Sequence, residues 1–246
     1  MIKSYSKINL FLRVLKKNSG GLHDLQSSVI LIDLYDEINI KRIISKKDEI
    51  KFIGQFRKKI NIKNNSITCS LFLLRKYGLV NKEDRYKITI NKKIPVFAGL
   101  GGGTSNAIYL IKYFLKNNIN KKLIKIFEKE IGSDFRLFLY KQSFQKSLKK
   151  VLKLKKRYNL NFILVYPSIN CSTKQIYSKV KKFNLPLKND LSKNRSKNKY
   201  LQFLQHETND LQSIVEKQYP RMIQKTFKNG TYKYKLSRYH SRTNKL

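Results

Sequence analysis

The sequence predicts an α+β fold in two parts, and three observations carry that expectation. Residues 4–15, "SYSKINLFLRVL", and 84–95, "DRYKITINKKIP", alternate apolar and polar side chains with the two-residue period of a half-buried strand. Residues 66–77, 105–115 and 120–131 place apolar side chains at helical spacing, and the first and third runs stop at Gly78 and Gly132. A second strand-and-helix set begins after a basic stretch near 150–158, so the expected domains are 1–155 and 156–246.

Each element follows from its own residues. In the first strand Ile8, Leu10, Leu12 and Val14 share one face, and Lys7, Asn9, Phe11 and Arg13 share the other. "NSGGLHD" (18–24) reads as a turn, and the Ile- and Val-rich 25–43 as one or two further strands. After the helix at 66–77, the strand at 84–95 is broken by Pro95. Helices are expected at 105–115 and 120–131, with "SDFRLFLY" (133–140) following directly. "NLNFILVYP" (159–167) reads as a short strand, and 172–183 as a helix with Ser172 as its N-cap. The polar 186–200 reads as a loop and 201–219 as helix.

Composition narrows the possible functions. A hydrophobic fraction of 41% over 246 residues supports a real core and excludes disorder throughout. Fifty-four Lys and Arg against 15 Asp and Glu give a net charge of +39, which attracts anions and raises nucleic-acid binding as an alternative. The basic pairs (Lys16-Lys17, Lys46-Lys47, Lys92-Lys93, Lys121-Lys122, Lys149-Lys150) are scattered over every expected element rather than gathered on one face. That scatter fits a compositional drift toward Lys, Asn and Ile better than a dedicated nucleic-acid surface, and no nucleic-acid module is recognisable. Cys69 and Cys171 give neither metal-ligand spacing nor a disulfide framework. With no apolar run long enough to span a bilayer and no signal-peptide core, the expected location is cytoplasmic.

The chemistry concentrates in "IPVFAGLGGGTSNAIYLIKYFL" (94–115). Four of the chain's 10 glycines fall within five residues, Gly99 and Gly101 to Gly103, at the mouth of a helix. Successive glycines let several backbone N–H groups converge on one anion, and the open first turn and dipole of a helix add to the same site. Thr104 and Ser105 then bring hydroxyls to where a phosphate or its metal would sit. No Gly-Lys-Ser/Thr follows, so this is not a Walker A loop, and Thr104 stands where G-x-G-x-x-G needs its third glycine. A flexible turn is the bland alternative, but a turn seldom needs four glycines and then a helix.

"PVFAGLGGGTSNA" resembles the P-x-x-x-G-L-G-S/G-S/G-S-S/A motif of the GHMP small-molecule kinases. The likeness extends over about residues 4–221. "SKINLFLRVLKKNSGGLHDLQSSVILIDLYDEI" is similar to the opening A-K-I-N-L-F-L, D-G-Y-H-x-L-Q and D-x-x-D-x-I segments of the branch acting on a cytidine-diphosphate-linked methylerythritol. "EIGSDFRLFLY", "YPSINCSTKQIY" and "ETNDLQSIVEKQYP" resemble three more of its segments, in the right order. The resemblance implies a ribosomal-protein-S5-domain-2-like N-terminal domain and a ferredoxin-like C-terminal domain. It implies ATP as phosphoryl donor, with Mg²⁺, and that small-molecule alcohol as acceptor. No residues are singled out as metal ligands and no oligomeric state is implied.

Carried over by position, the resemblance makes Lys7 and Asp134 the catalytic pair. It gives Pro95, Val96, Phe97, Ala98, Gly99, Leu100, Gly101, Gly102, Gly103, Thr104 and Ser105 to the ATP phosphates. Asn9, His23, Thr173 and Tyr177 fall to the acceptor, the last three at its cytidine end. The chemistry suits the residue types: a carboxylate can accept or orient the hydroxyl proton, an ammonium favours a developing alkoxide, and imidazole and phenol rings can read and stack on a base. On their own, Lys7 is one lysine among many, His23 a turn histidine and Tyr177 a helix-packing tyrosine.

The chain also departs from the pattern. Leu22 stands where the family has Tyr, which removes an expected stacking ring. Phe135 and Arg136 follow Asp134 where Val and Pro are usual, and Arg136 could pair with Asp134 and compete with substrate. "YKLSRYHSRTNKL" replaces a glycine-rich third motif, giving the expectation of a truncated C-terminal domain and, as an alternative function, a remnant that binds nucleotide without turnover.

Overall fold

The computed structural model describes residues 1–188, Leu191 and 196–221 of the chain. These form two compact units interleaved along the sequence: residues 1–8 with 31–141, and residues 9–30 with the chain from 142 onward. The sequence suggests a single cut at 155/156; the structure's division runs instead through two long strands, because β1 (Ile2–Lys17) and β2 (His23–Ile43) each contribute one part to either unit.

In the first unit β4 (Arg85–Asn91) runs antiparallel to β2, with Ile38 opposite Ile90 and Ile40 opposite Ile88. β3 (Glu49–Ile53), which its five-residue length and the charged stretch before it hid in the sequence, runs parallel to β4 on the other side. Three helices accompany these strands. α1 (Ser66–Lys76) starts from Asn65, which accepts the N–H groups of Ile67 and Thr68, and ends before Gly78 at φ +65°. α2 (Gly102–Phe114) begins three residues earlier than the periodicity predicts, because Gly102 and Gly103 form its first turn. α3 (Lys121–Ile131) starts on an Asn120 cap and ends at Gly132. A 3₁₀ segment (Ser133–Leu139) carries Asp134. Buried side chains from these elements include Ile67, Leu71, Leu74, Ile108, Ile111, Phe127, Phe135 and Phe138.

One polar anchor organises the end of β4. Asp36, fully buried on β2, forms an ion pair with Lys92 and accepts the backbone N–H groups of Lys93 (2.7 Å) and Ile94 (2.9 Å). Burial pushes the Lys92 ammonium below its ordinary pKa, and Asp36 opposes that shift.

In the second unit β5 (Gln142–Ser147) pairs antiparallel with β2, and β6 (Lys150–Lys153) pairs with β5. Tyr158 and Tyr200 stack with ring centroids 4.2 Å apart. The expected strand at 159–167 is not formed. Its propensity is real, but a strand exists only by pairing, and among the described residues it has no ladder; Ile163 is 75% exposed. The expected helix 172–183 is shorter, α4 (Thr173–Ser178), because the chain is drawn back to β1, where Asn184 donates its backbone N–H to the Val14 carbonyl. The expected loop to 200 and single helix 201–219 become α5 (Lys197–His206), capped by Ser196, and α6 (Gln212–Gln218). They separate where Thr208 and Asp210 exchange backbone hydrogen bonds with Leu12. The segment read as replacing the third glycine motif, 234–246, lies outside the described residues.

Replacing Asp36 by Asn keeps an acceptor but strands a buried ammonium. Asp36→Asn is expected to lower the unfolding free energy by about 3 kcal/mol in urea titrations at neutral pH.

Candidate active site

The glycine loop is built from both its ends. Asp36 fixes the chain as it leaves β4, and at the far side the Lys7 backbone N–H donates to the Leu100 carbonyl at 3.0 Å. Gly99 (φ +72°) and Gly101 (φ +69°) take left-handed conformations, and Gly101 is the N-cap of α2. Gly101 is also held by sterics. A Cβ there would lie 2.7 Å from Cζ of Phe138 and 3.3 Å from Cγ of Lys7. With no capping side chain, the first N–H groups of α2 have no partner within the helix and face the loop's mouth with the positive end of its dipole. Phe97, in the same loop, is an exposed aromatic residue at φ +61°, a conformation costly for any side chain.

Lys7 and Asp134 meet as expected: Nζ lies 3.4 Å from Oδ2, the lysine buried and the carboxylate partly open to solvent. Two further contacts support the segment bearing Asp134, beside the crowding of Gly101 by the Phe138 ring. Lys112 of α2 donates to the Phe138 carbonyl at 2.9 Å, and burial lowers the pKa of its ammonium. Arg136 turns to Glu128 of α3, its Nε 2.8 Å from each carboxylate oxygen, and does not take Asp134. The expected competition is thereby corrected: a second carboxylate satisfies the guanidinium.

The two loop hydroxyls have different placements. Thr104 is partly exposed in the first turn of α2. Ser105 is fully buried, its Oγ donating to the Tyr5 carbonyl at 2.6 Å and lying 2.7 Å from Ser4 Oγ, so its side chain ties α2 to β1 inside the fold.

The remaining site residues belong to the second unit. His23 is buried and its ring lies against Tyr177 (centroids 5.3 Å apart, 30° between planes) and Phe183 (6.3 Å, 28°). Burial, with Lys17 as the lesser cause, lowers its pKa. Asn9 Nδ2 donates to Ser27 Oγ at 2.7 Å, and Thr173 is exposed at the start of α4.

Comparison with known proteins bears on the whole chain. The family described as GHMP kinases N terminal domain matches residues 64–141, which include the glycine loop and Asp134. The chain is 38% identical over 239 residues to the 4-diphosphocytidyl-2-C-methyl-D-erythritol kinase of Pelagibacter ubique, covering 93% of this chain and 81% of that relative. The chain belongs to this kinase family.

A Buchnera aphidicola member is 31% identical over 231 residues, covering 90% of this chain and 75% of its own. A crystal structure of a 4-(cytidine 5'-diphospho)-2C-methyl-D-erythritol kinase, 19% identical, matches with a TM-score of 0.61 over 90% of this chain and 79% of that one, and speaks for the GHMP kinase fold. Within this family frame, reading the sequence missed Lys92, Lys112, Phe138, Glu128 and Phe183. Lys92 was hidden among scattered lysine pairs, and Lys112, Phe138 and Phe183 carry no motif. Glu128 had one usable signal, since acidic residues are scarce.

Gly99 and Gly101 separate backbone strain from crowding. Either Gly→Ala change places alanine at positive φ, worth about 1 kcal/mol. Only Gly101→Ala also meets Phe138, adding about 1–3 kcal/mol, so its urea midpoint should fall clearly below that of Gly99→Ala.

His23 gives a pH dependence in the second unit. Its folded pKa is lowered, so the unfolded chain binds the proton first as pH falls. Stability should therefore drop as pH falls below about 6.5, and His23→Gln should flatten that part of the curve measured by thermal melts.

Proposed function

We propose that the chain transfers the γ-phosphoryl group of ATP to the 2-hydroxyl of 4-diphosphocytidyl-2-C-methyl-D-erythritol, a step of non-mevalonate isoprenoid precursor biosynthesis. The Lys7–Asp134 pair, joined through the Lys7 backbone to the glycine loop, carries this reading within the family frame. Three features of the loop fit a chain of phosphates. No side chain caps α2, no Cβ can occupy Gly101, and the stem of Lys7 passes directly beneath. ATP supplies the phosphoryl group, and Mg²⁺ is proposed as the counter-ion of its phosphates, with the Thr104 hydroxyl within the same first turn of α2.

The steps of this chain's residues follow from charge. The loop N–H groups hold the donor phosphates in place. Asp134 takes the proton of the acceptor hydroxyl as its oxygen bonds to the γ-phosphorus, and the bond from that phosphorus to the β–γ bridging oxygen breaks to release ADP. Lys7 offsets the negative charge developing on the acceptor oxygen and holds the Asp134 carboxylate. His23 and Tyr177, with Thr173, are proposed to receive the cytidine: a neutral imidazole can both donate and accept, and the phenol ring offers a flat apolar face.

The readings as a nucleotide-binding remnant or an RNA-associated protein are not favoured, since the family match spans nearly the whole chain. No helix among the described residues is long and apolar enough to cross a membrane.

The test is ATP-dependent phosphorylation of this acceptor by the purified chain. Asp134→Asn is expected to lower kcat by about 10²–10⁴-fold with the fold intact by circular dichroism. Absence of turnover by a folded wild-type chain that binds ATP would sink the proposal.

A further inference from the structure

With 54 basic residues against 15 acidic ones, a carboxylate that must keep one chosen cation faces competition from others. At Asp134 the competitor is covalently close. Arg136 lies two residues on in the same 3₁₀ segment, and its planar, permanently charged guanidinium binds carboxylates in a fork that an ammonium cannot match. In the structure that guanidinium is engaged elsewhere. Its Nε lies 2.8 Å from both Oε1 and Oε2 of Glu128, with the two side chains only 24% and 18% exposed, while Asp134 keeps Lys7. Glu128 is itself fixed, because it stands in the last turn of α3 and its carbonyl accepts the N–H of the capping Gly132.

We infer that Glu128 is a positioning residue for phosphoryl transfer: its carboxylate holds Arg136 away from Asp134 and so preserves the Lys7–Asp134 pair. The inference rests on Asp134 being the carboxylate of the proposed transfer. A purely structural role for the same ion pair, anchoring the 3₁₀ segment to α3, leads to a different outcome. An anchor is lost whichever partner is removed. A sequestering carboxylate matters only while there is a guanidinium to sequester.

The experiment compares Glu128→Gln, Arg136→Gln and the double variant in the phosphorylation assay, with kcat and KM measured separately, and determines the crystal structure of Glu128→Gln. Glu128→Gln is expected to lose about tenfold or more in kcat, because Arg136 swings to Asp134. Arg136→Gln and the double variant are expected to stay within about twofold of wild type, the second change repairing the first. In the crystal the Arg136 guanidinium should lie within hydrogen-bond distance of Asp134. Loss of kcat in Arg136→Gln equal to that in Glu128→Gln, or a double variant no better than Glu128→Gln, overturns the inference in favour of the anchor. So does a crystal structure in which Arg136 points elsewhere and Lys7–Asp134 is intact, a result that holds whether or not the chain turns over. Failure of the kinase reading is seen separately, as a wild-type chain without activity.

Discussion

The first unit depends on a close approach at Gly101. The Phe138 ring and the stem of Lys7 both crowd the place where its side chain would stand, leaving no room for one. Three elements of the candidate site meet at that point: the glycine loop, the strand that bears Lys7, and the segment that bears Asp134. Because the contact is one of packing, none of the three can shift far without opening a gap or a clash. Lys7 serves the arrangement twice, its backbone holding the loop through Leu100 and its side chain meeting Asp134.

The charge excess makes the use of acidic residues informative. Asp36 is bound by Lys92 and two backbone N–H groups, Asp48 by the fork of Arg75, Glu128 by Arg136 and Asp134 by Lys7. Each of these carboxylates has a defined cation, although cations far outnumber them. Specific pairing under such an excess requires geometry to choose the partner. Burial does much of that choosing, since an exposed pair is screened and worth little whereas a buried one holds its partner firmly.

Much of this fold is legible in the sequence, and the misreadings have physical causes. The periodicity of β1, β4, α1 and α3 marks those elements to within a few residues, and the glycine cluster marks the loop of the candidate site. Of the features that escape, three show why. β3 alternates at Glu49, Ile50, Lys51 and Phe52, but over too few residues to stand out beside the charged stretch that precedes it. α2 starts inside the glycines, where helix propensity, which penalises glycine, gives no signal for a helix. Residues 159–167 have the composition of a strand and no partner among the described residues, and propensity cannot supply one. In the candidate site, Lys7, Asp134 and His23 are legible only through the segments around them. Lys112 and Glu128 act through tertiary hydrogen bonds that no local pattern encodes.

Leu22 shows how far a departure from a family motif reaches. The family's Tyr at this position would bring a ring, and the leucine that replaces it is 53% exposed, so it does not compensate by packing inward. Yet His23 beside it is buried, lying nearly flat against both Tyr177 and Phe183, the latter 48% exposed. Flat ring contacts of this kind, together with burial, fix the plane of the imidazole and favour its neutral form, the form that can donate from one nitrogen and accept at the other. The aromatic surroundings that orient this histidine are therefore supplied by α4 and the residues just beyond it, and they do not depend on the side chain at position 22.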